Sequence, residues 1–228
     1  MAMQGSVLGA DQYFIVNEDF LLDAGDTLPA PWATADTSLN GSPTLDYVAN
    51  AKGGQFNMLH DSQSEQQLVT LYFGDDVYID PTKQPVFECR LQINHDGSTT
   101  NFTADQRLAF GLGSARSDTL DSVADHCWFL IEGANNNVQI EGDDGTTDTN
   151  NLDTTIDYED STFHTYVIDM TDLAAVRFMV DGVQATSTID VSAMAAGDHL
   201  QPLFELQRDL GAEEDSVLID YCRVRVNR

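Results

Sequence analysis

The densest group of chemically capable side chains is the run Asp143, Asp144, Asp148, Asn150, Asn151, Asp153 and Asp157. Carboxylate and amide oxygens are the hard donors that calcium takes. Asp143, Asp144, Asp148 and Asp153 are therefore candidate calcium ligands, and calcium is the one cofactor the sequence leaves open. The spacing departs from an EF-hand, with no Gly at the sixth position followed by a Glu at the twelfth, and a solvated polar loop is the competing reading. His60, His95, His126, His164 and His199 show no H-E-x-x-H or comparable ligand spacing. Ser114 in GLGSAR and Ser6 beside Gly5 lack the G-x-S-x-G elbow of a hydrolase nucleophile, and GLGS lacks the lysine of a phosphate-binding loop. No catalytic group is expected from these motifs. For a sugar, the useful chemistry is a flat aromatic face. Trp32, Tyr72 and Tyr166 are the candidate glycan-binding residues, with Trp128 and Tyr78 the other aromatics weighed. Trp128, inside CWFLI, reads as core, whereas Trp32, between prolines, reads as a lid or interface contact.

The elements that must carry these residues are strands. FHTYVIDM (residues 163–170) is rich in aromatic and β-branched residues, and VRFMV (176–180) is a second apolar run ending at Asp181-Gly182, a pair that tolerates the positive φ of a tight turn. Similar runs are expected at 13–22, 44–49, 54–59, 67–73, 86–93, 107–112, 126–132, 138–141, 201–207 and 217–226, separated by Gly, Asp, Asn, Ser and Thr clusters. Residues 142–160 read as a long polar loop. No amphipathic helix of useful length is visible. The spacing predicts an all-β protein, a two-sheet antiparallel jelly-roll sandwich spanning residues 13–228 as one domain, preceded by an arm at residues 1–12.

Composition narrows the partners. The 38 acidic residues against 10 basic ones give a formal charge of −28, which repels phosphate backbones and anionic membranes. Neither nucleic acid nor membrane is an expected partner, and no apolar run approaches the roughly 20 residues of a membrane span. The first residues, MAMQGSVLGADQYF, lack the positive flank and apolar segment of a secretory signal. Cys89, Cys127 and Cys222 are odd in number, far apart and set in apolar runs, so buried thiols from a reducing compartment are expected. In VLIDYCRVRV, strand alternation puts Arg223 and Arg225 on one face and Cys222, Val224 and Val226 on the other. That basic face either pairs with the chain's own carboxylates or docks an acidic partner.

FHTYVIDM…VRFMVDGVQ resembles the penultimate hairpin of concanavalin A-like, laminin-G-like jelly rolls, a group that includes laminarinase-type glycoside hydrolases, and VLIDYCRVRV resembles their closing strand. His164 stands at the FH-x-Y position of that hairpin, where the resemblance implies packing or hydrogen bonding. Laminarinase-type enzymes take their nucleophile and acid/base from one strand as E-x-D-x-x-E. The best match is Glu141-Gly142-Asp143-Asp144-Gly145-Thr146, which keeps the first Glu and the Asp but has Thr146 where the acid/base belongs. A threonine cannot deliver that proton, so the chain is expected not to be an enzyme.

The ordered set DF…W, LYFGD, FECRLQI, RLAFGLG, the VDG hairpin, LQPLFELQ and IDYCRV is similar to bacteriophage virion proteins of this fold across residues 18–226. That resemblance implies a structural protein of the virion, assembled in the host cytoplasm, that decorates or cements the capsid or forms part of a head fibre or tail. Its partners would be the major capsid protein or other virion proteins, with self-assembly into a homo-oligomer. The contact candidates are the arm from Gln4 to Asp11 and the strip Arg223, Arg225 and Arg228. The alternative is a lectin-like, carbohydrate-binding module for host-surface or environmental glycans.

Overall fold

The computed structural model describes residues 12–76, 78–96, 101–133 and 136–227. In chain order the strands are β1 (Gln12–Glu18), β2 (Ala33–Asp36), β3 (Thr44–Tyr47), β4 (Phe56–Leu59), β5 (Gln67–Tyr72), β6 (Val86–Asn94), β7 (Gln106–Gly113) and β8 (Asp125–Glu132). They continue as β9 (Asn137–Asp144), β10 (Asp148–Asp157), β11 (Phe163–Asp169), β12 (Arg177–Val180), β13 (Val183–Gln184), β14 (Gln201–Arg208) and β15 (Ser216–Asn227). One sheet has eight strands in the order β13-β12-β11-β6-β15-β4-β3, with β1 also on β15; the other has seven, β10-β9-β8-β7-β14-β5-β2. All pairings are antiparallel. Neighbours distant in sequence, such as β6 with β15 and β7 with β14, make this the expected jelly-roll sandwich. No helix among the described residues is long and apolar enough to cross a membrane.

The inner faces meet over an aromatic core. Phe110 stacks on Phe129 at 5.3 Å, and Tyr166 meets both edge-on at 4.7 and 5.2 Å. Each such ring stabilises the fold by roughly 1.5–3 kcal/mol through burial. β15 contributes to this core from two phases of its alternation. Val217 and Ile219 are buried, then the register slips between Ile219 and Tyr221, and Cys222, Val224 and Val226 are buried. The bulge turns Arg223 and Arg225 away from the core, as the alternation predicts. Arg223 pairs with Asp19 at 3.0 Å and lies over the Tyr221 ring, so it is engaged within its own chain. Gln4, Asp11 and Arg228, with residues 1–11 of the expected arm, lie outside the described residues.

The hairpin singled out in the sequence closes as its residues require. Asp181 and Gly182 both take positive φ (49° and 79°) and turn β12 into β13. His164 accepts from Glu159 N–H through Nε2 at 3.1 Å, which leaves Nδ1–H to donate to Asp181 Oδ2 at 2.7 Å. Asp181 Oδ1 accepts from Thr165 N–H at 2.8 Å, so the FH-x-Y and Asp-Gly elements clamp each other.

Three strands escape the sequence pattern: β2, β10 and β13. β10 corrects the expected loop at 142–160. It is an acidic edge strand whose residues are mostly solvated, with Leu152 and Ile156 its apolar contacts to the core, so period-two alternation is nearly invisible. The cysteines are all buried and unpaired, Cys89 directly opposite Cys222 across β6 and β15. Burial pushes all three thiols up. A thiol reagent such as Ellman's should therefore label none in the native protein and 3 after unfolding; labelling of the native protein at the unfolded rate would contradict this burial.

Candidate functional site

β14 identifies where the fold does more than build a sandwich. Phe204 and Leu206 face the core, yet Leu203, Glu205 and Gln207, on the opposite face, are also buried. A strand buried on both faces of a two-layer fold needs a third layer. Here that layer is the connection between β7 and β8, residues 114–124, which lies as a strap across the outer face of the seven-stranded sheet. Leu120 and Val123 pack on Ala109, Trp128 and Leu130 as a second apolar cluster, separate from the main core. Arg116 anchors the strap through its backbone N–H to Asp75 (2.8 Å) and its guanidinium to Thr37 Oγ1 (2.8 Å) and Thr70 Oγ1 (3.4 Å), with an ion pair to Asp118.

The strap separates two polar compartments. On the β5–β14 side, Thr70 and Glu205 sit beneath Arg116. Glu205 is 1% exposed, accepts from Thr70 Oγ1 at 3.3 Å through one oxygen, and has no hydrogen-bond partner for the other. Burial raises its carboxyl to about 7, against the opposing charge of Arg116 and Arg107. On the β8–β10 side is a polar pocket of about 110 Å³ lined by Arg107, Asp121, Glu132, Glu141 and Asn151. Trp128 Nε1–H donates to Glu141 Oε2 at 2.8 Å and Asn151 N–H to Glu141 Oε1 at 3.2 Å, while the Asn151 amide donates to Glu132 at 2.8 Å. Asn151 bridges both carboxylates because the β9–β10 ladder bulges there and its φ is +52°, a conformation Asn tolerates. Burial holds the Glu141 carboxyl above its usual range despite those two hydrogen bonds.

The sequence candidates fare unequally. Glu141 lies inside β9, which runs past the expected strand end at 141 to Asp144, and it lines this pocket. Asp143 accepts from Gly145 N–H and Thr146 stands in the turn beyond the strand, so the strand brings no second acid to the E-x-D-x-x-E position. Glu205 is three strands from Glu141, roughly 14 Å by strand spacing alone, too far for the ~5 Å of a retaining pair or the ~6.5–9.5 Å of an inverting one. The calcium set does not assemble. Asp144 accepts from Thr146, Thr147 and Ala193 N–H, Asp153 caps Thr155, and Asp148 bonds the Asn150 amide. Their oxygens are spent on separate turns, and no metal-ligating group of three or more His, Cys, Asp or Glu exists among the described residues.

Of the aromatics, Tyr166 is a correction: at 0% exposure in the core it offers no face to a sugar. Trp32 is corrected too, since it is 7% exposed and packs edge-on against Phe73 at 4.6 Å instead of forming an open lid. Tyr72 is half-buried and shares the outer face of the seven-stranded sheet with Thr70, opposite Leu203. Trp128 is buried as expected, but beneath the strap. Arg107, Glu132 and Glu205 went unnoticed in the sequence, where only the isolated Glu inside LFELQ signalled a polar group amid apolar strand, and Asn151 was weighed there as a calcium donor instead of a bridge between carboxylates.

No family model matches the sequence, and no curated protein matches it. Solved structures do. A protein of unknown function from Shewanella oneidensis MR-1 is 15% identical with a TM-score of 0.63, covering 97% of this chain and 89% of its own. The carbohydrate recognition domain of Emp47p is 14% identical, with a TM-score of 0.61 over 97% and 99%. An endo-1,3-β-glucanase from Streptomyces sioyaensis is 16% identical, with a TM-score of 0.58 over 96% and 98%. At these identities the likeness establishes the fold: a concanavalin A-like jelly roll shared by lectin domains and glucanases.

Proposed function

We propose that the chain is a carbohydrate-binding jelly roll without hydrolytic activity, and that it contacts saccharide hydroxyls in the pocket formed by Arg107, Glu132, Glu141 and Asn151. The observation that carries this reading is the pocket's fixed array: Trp128, Asn151 and the two carboxylates hold one another in place beside a guanidinium. Such an array presents donors and acceptors at defined positions, as recognition of neighbouring hydroxyls needs. The carbohydrate recognition domain and the glucanase among the matching structures support the same class of ligand. Calorimetric titration with a panel of neutral oligosaccharides, β-1,3-glucan fragments included, should give saturable binding. Arg107→Ala and Asn151→Ala should each weaken it at least about tenfold, the loss expected for hydrogen bonds involving a charged group. Binding to none of the panel, or binding untouched in both variants, overturns the proposal.

The same oligosaccharides should yield no new reducing ends on prolonged incubation. Release of reducing ends that disappears in Glu141→Gln would replace the lectin reading with a glycosidase one. The virion reading rests on sequence resemblance alone: none of the three matching structures described above is named as a virion protein.

A further inference from the structure

A second cleft lies at the open side of the sandwich, where β1 of one sheet faces the start of β2 and the end of β5 in the other. Its volume is about 210 Å³, below the ~300–1,000 Å³ of pockets for drug-sized ligands, so it suits an occupant of few heavy atoms. Three aromatic rings frame it. Trp32 and Phe73 meet at 88° with centroids 4.6 Å apart and form its nearly buried inner end, while Phe73 and Tyr78 meet at 64° and 6.3 Å and carry the aromatic lining outward. Tyr78, 58% exposed, stands at the mouth. Among the described residues the lining includes the polar Asn17 and Glu18 and no basic residue. Glu18 is fixed by accepting from Phe20 N–H at 2.8 Å, and burial raises its carboxyl despite that bond.

An aromatic box closed by one carboxylate has a defined preference. The ring faces are negative and apolar, so they favour a cation whose charge is spread over methyl or methylene groups, and the carboxylate adds a direct counter-charge. A neutral sugar uses the aromatic wall and can donate hydroxyl hydrogen bonds to the carboxylate, but it gains no charge attraction from either. A bare metal ion gains nothing from the aromatic and proline C–H surfaces. The formal charge of −28 raises the local concentration of any cation. We propose that this cleft binds a small organic cation of the alkylammonium class, with the charged head group among Trp32, Phe73 and Tyr78 and against Glu18. The site is separate from the polar pocket on the outer sheet face and stands whether or not that pocket binds a glycan.

The test is calorimetric titration of the intact chain with choline and with tetramethylammonium at constant ionic strength, sodium chloride making up the balance. The uncharged isostere 3,3-dimethylbutan-1-ol is the comparison. Choline should bind saturably, and the isostere at least about tenfold more weakly. Tyr78→Ala, which removes an exposed ring, and Glu18→Gln, which keeps an acceptor for Phe20 N–H, should each weaken choline binding about tenfold or more, with thermal melts showing both variants folded. If Glu18→Gln does not fold, Tyr78→Ala decides alone. Absence of saturable binding overturns the proposal. So does equal binding of choline and the isostere, which would make the cleft merely apolar. Choline binding undiminished in the variants would place the cation on the acidic surface at large and would also overturn it.

Discussion

Replacing Glu205 by Gln should stabilise the protein above pH 7 by about 3 kcal/mol and have little effect near pH 4. The Glu205 carboxyl lies beneath Arg116 with one oxygen unpartnered, and burial raises it from 4.5 to about 7. In the unfolded chain it ionises near 4.5, in the folded protein only near 7. Its contribution to stability is therefore fully present below about 4.5 and is lost as pH rises through 7. A shift of about 2.5 units corresponds to roughly 3 kcal/mol. Urea denaturation of the two proteins at pH 5 and pH 8 measures the difference. A gain at pH 8 that clearly exceeds the gain at pH 5 is the expected result. Equal effects at both values would mean that Arg116 and Arg107 compensate the ionised carboxylate fully.

Glu205 also shows why the site was less legible than the fold. In LFELQ its place within a strand is plain, and alternation sends it away from the core; an outward Glu would ordinarily be solvated. Only the strap from 114 to 124 makes it buried, and the strap is placed by Arg116 reaching Thr37 and Thr70, contacts far apart in sequence. The hairpin at 163–184 was legible because its signals are local: alternation on both strands and an Asp-Gly turn. β10 was not, because an edge strand with one solvated face needs few apolar residues, and its bulges scatter those it has. Glu141 suffered from its neighbours. Gly142, Asp143, Asp144 and Gly145 spell a turn, yet β9 runs to Asp144. Gly142 is required there because a Cβ would approach Ile189 to 2.7 Å. Close packing and turn formation call for the same residue, and sequence alone does not separate them.

The acid limb of stability should belong to His60. Its ring is fully buried at the end of β4, neither nitrogen makes a well-formed hydrogen bond, and burial lowers its pKa from 6.5 to about 4, helped by the charge of Arg208 and opposed by the nearby Leu206 backbone, Asp215 and Asp61. Below 6.5 the unfolded chain takes a proton that the folded ring refuses until about 4. Stability is thus full above 6.5 and falls by roughly 3 kcal/mol as pH drops to 4. Between 4.5 and 6.5 this slope is opposite in sign to that of Glu205, so the two largely cancel in the wild-type protein. His60→Gln should unmask a decline in stability as pH rises through that window, and Glu205→Gln a rise. The double variant should be as flat as the wild type. The two groups lie on opposite faces of β14, His60 beside the Leu206 backbone and Arg208, and Glu205 beneath Arg116 with Thr70, so each variant leaves the other group's hydrogen-bond surroundings in place. Denaturation midpoints at half-unit intervals from pH 4 to 8 give the slopes directly. Parallel profiles for wild type and His60→Gln would show that the buried ring carries a proton in the folded state, with Asp215 and Asp61 outweighing burial and Arg208.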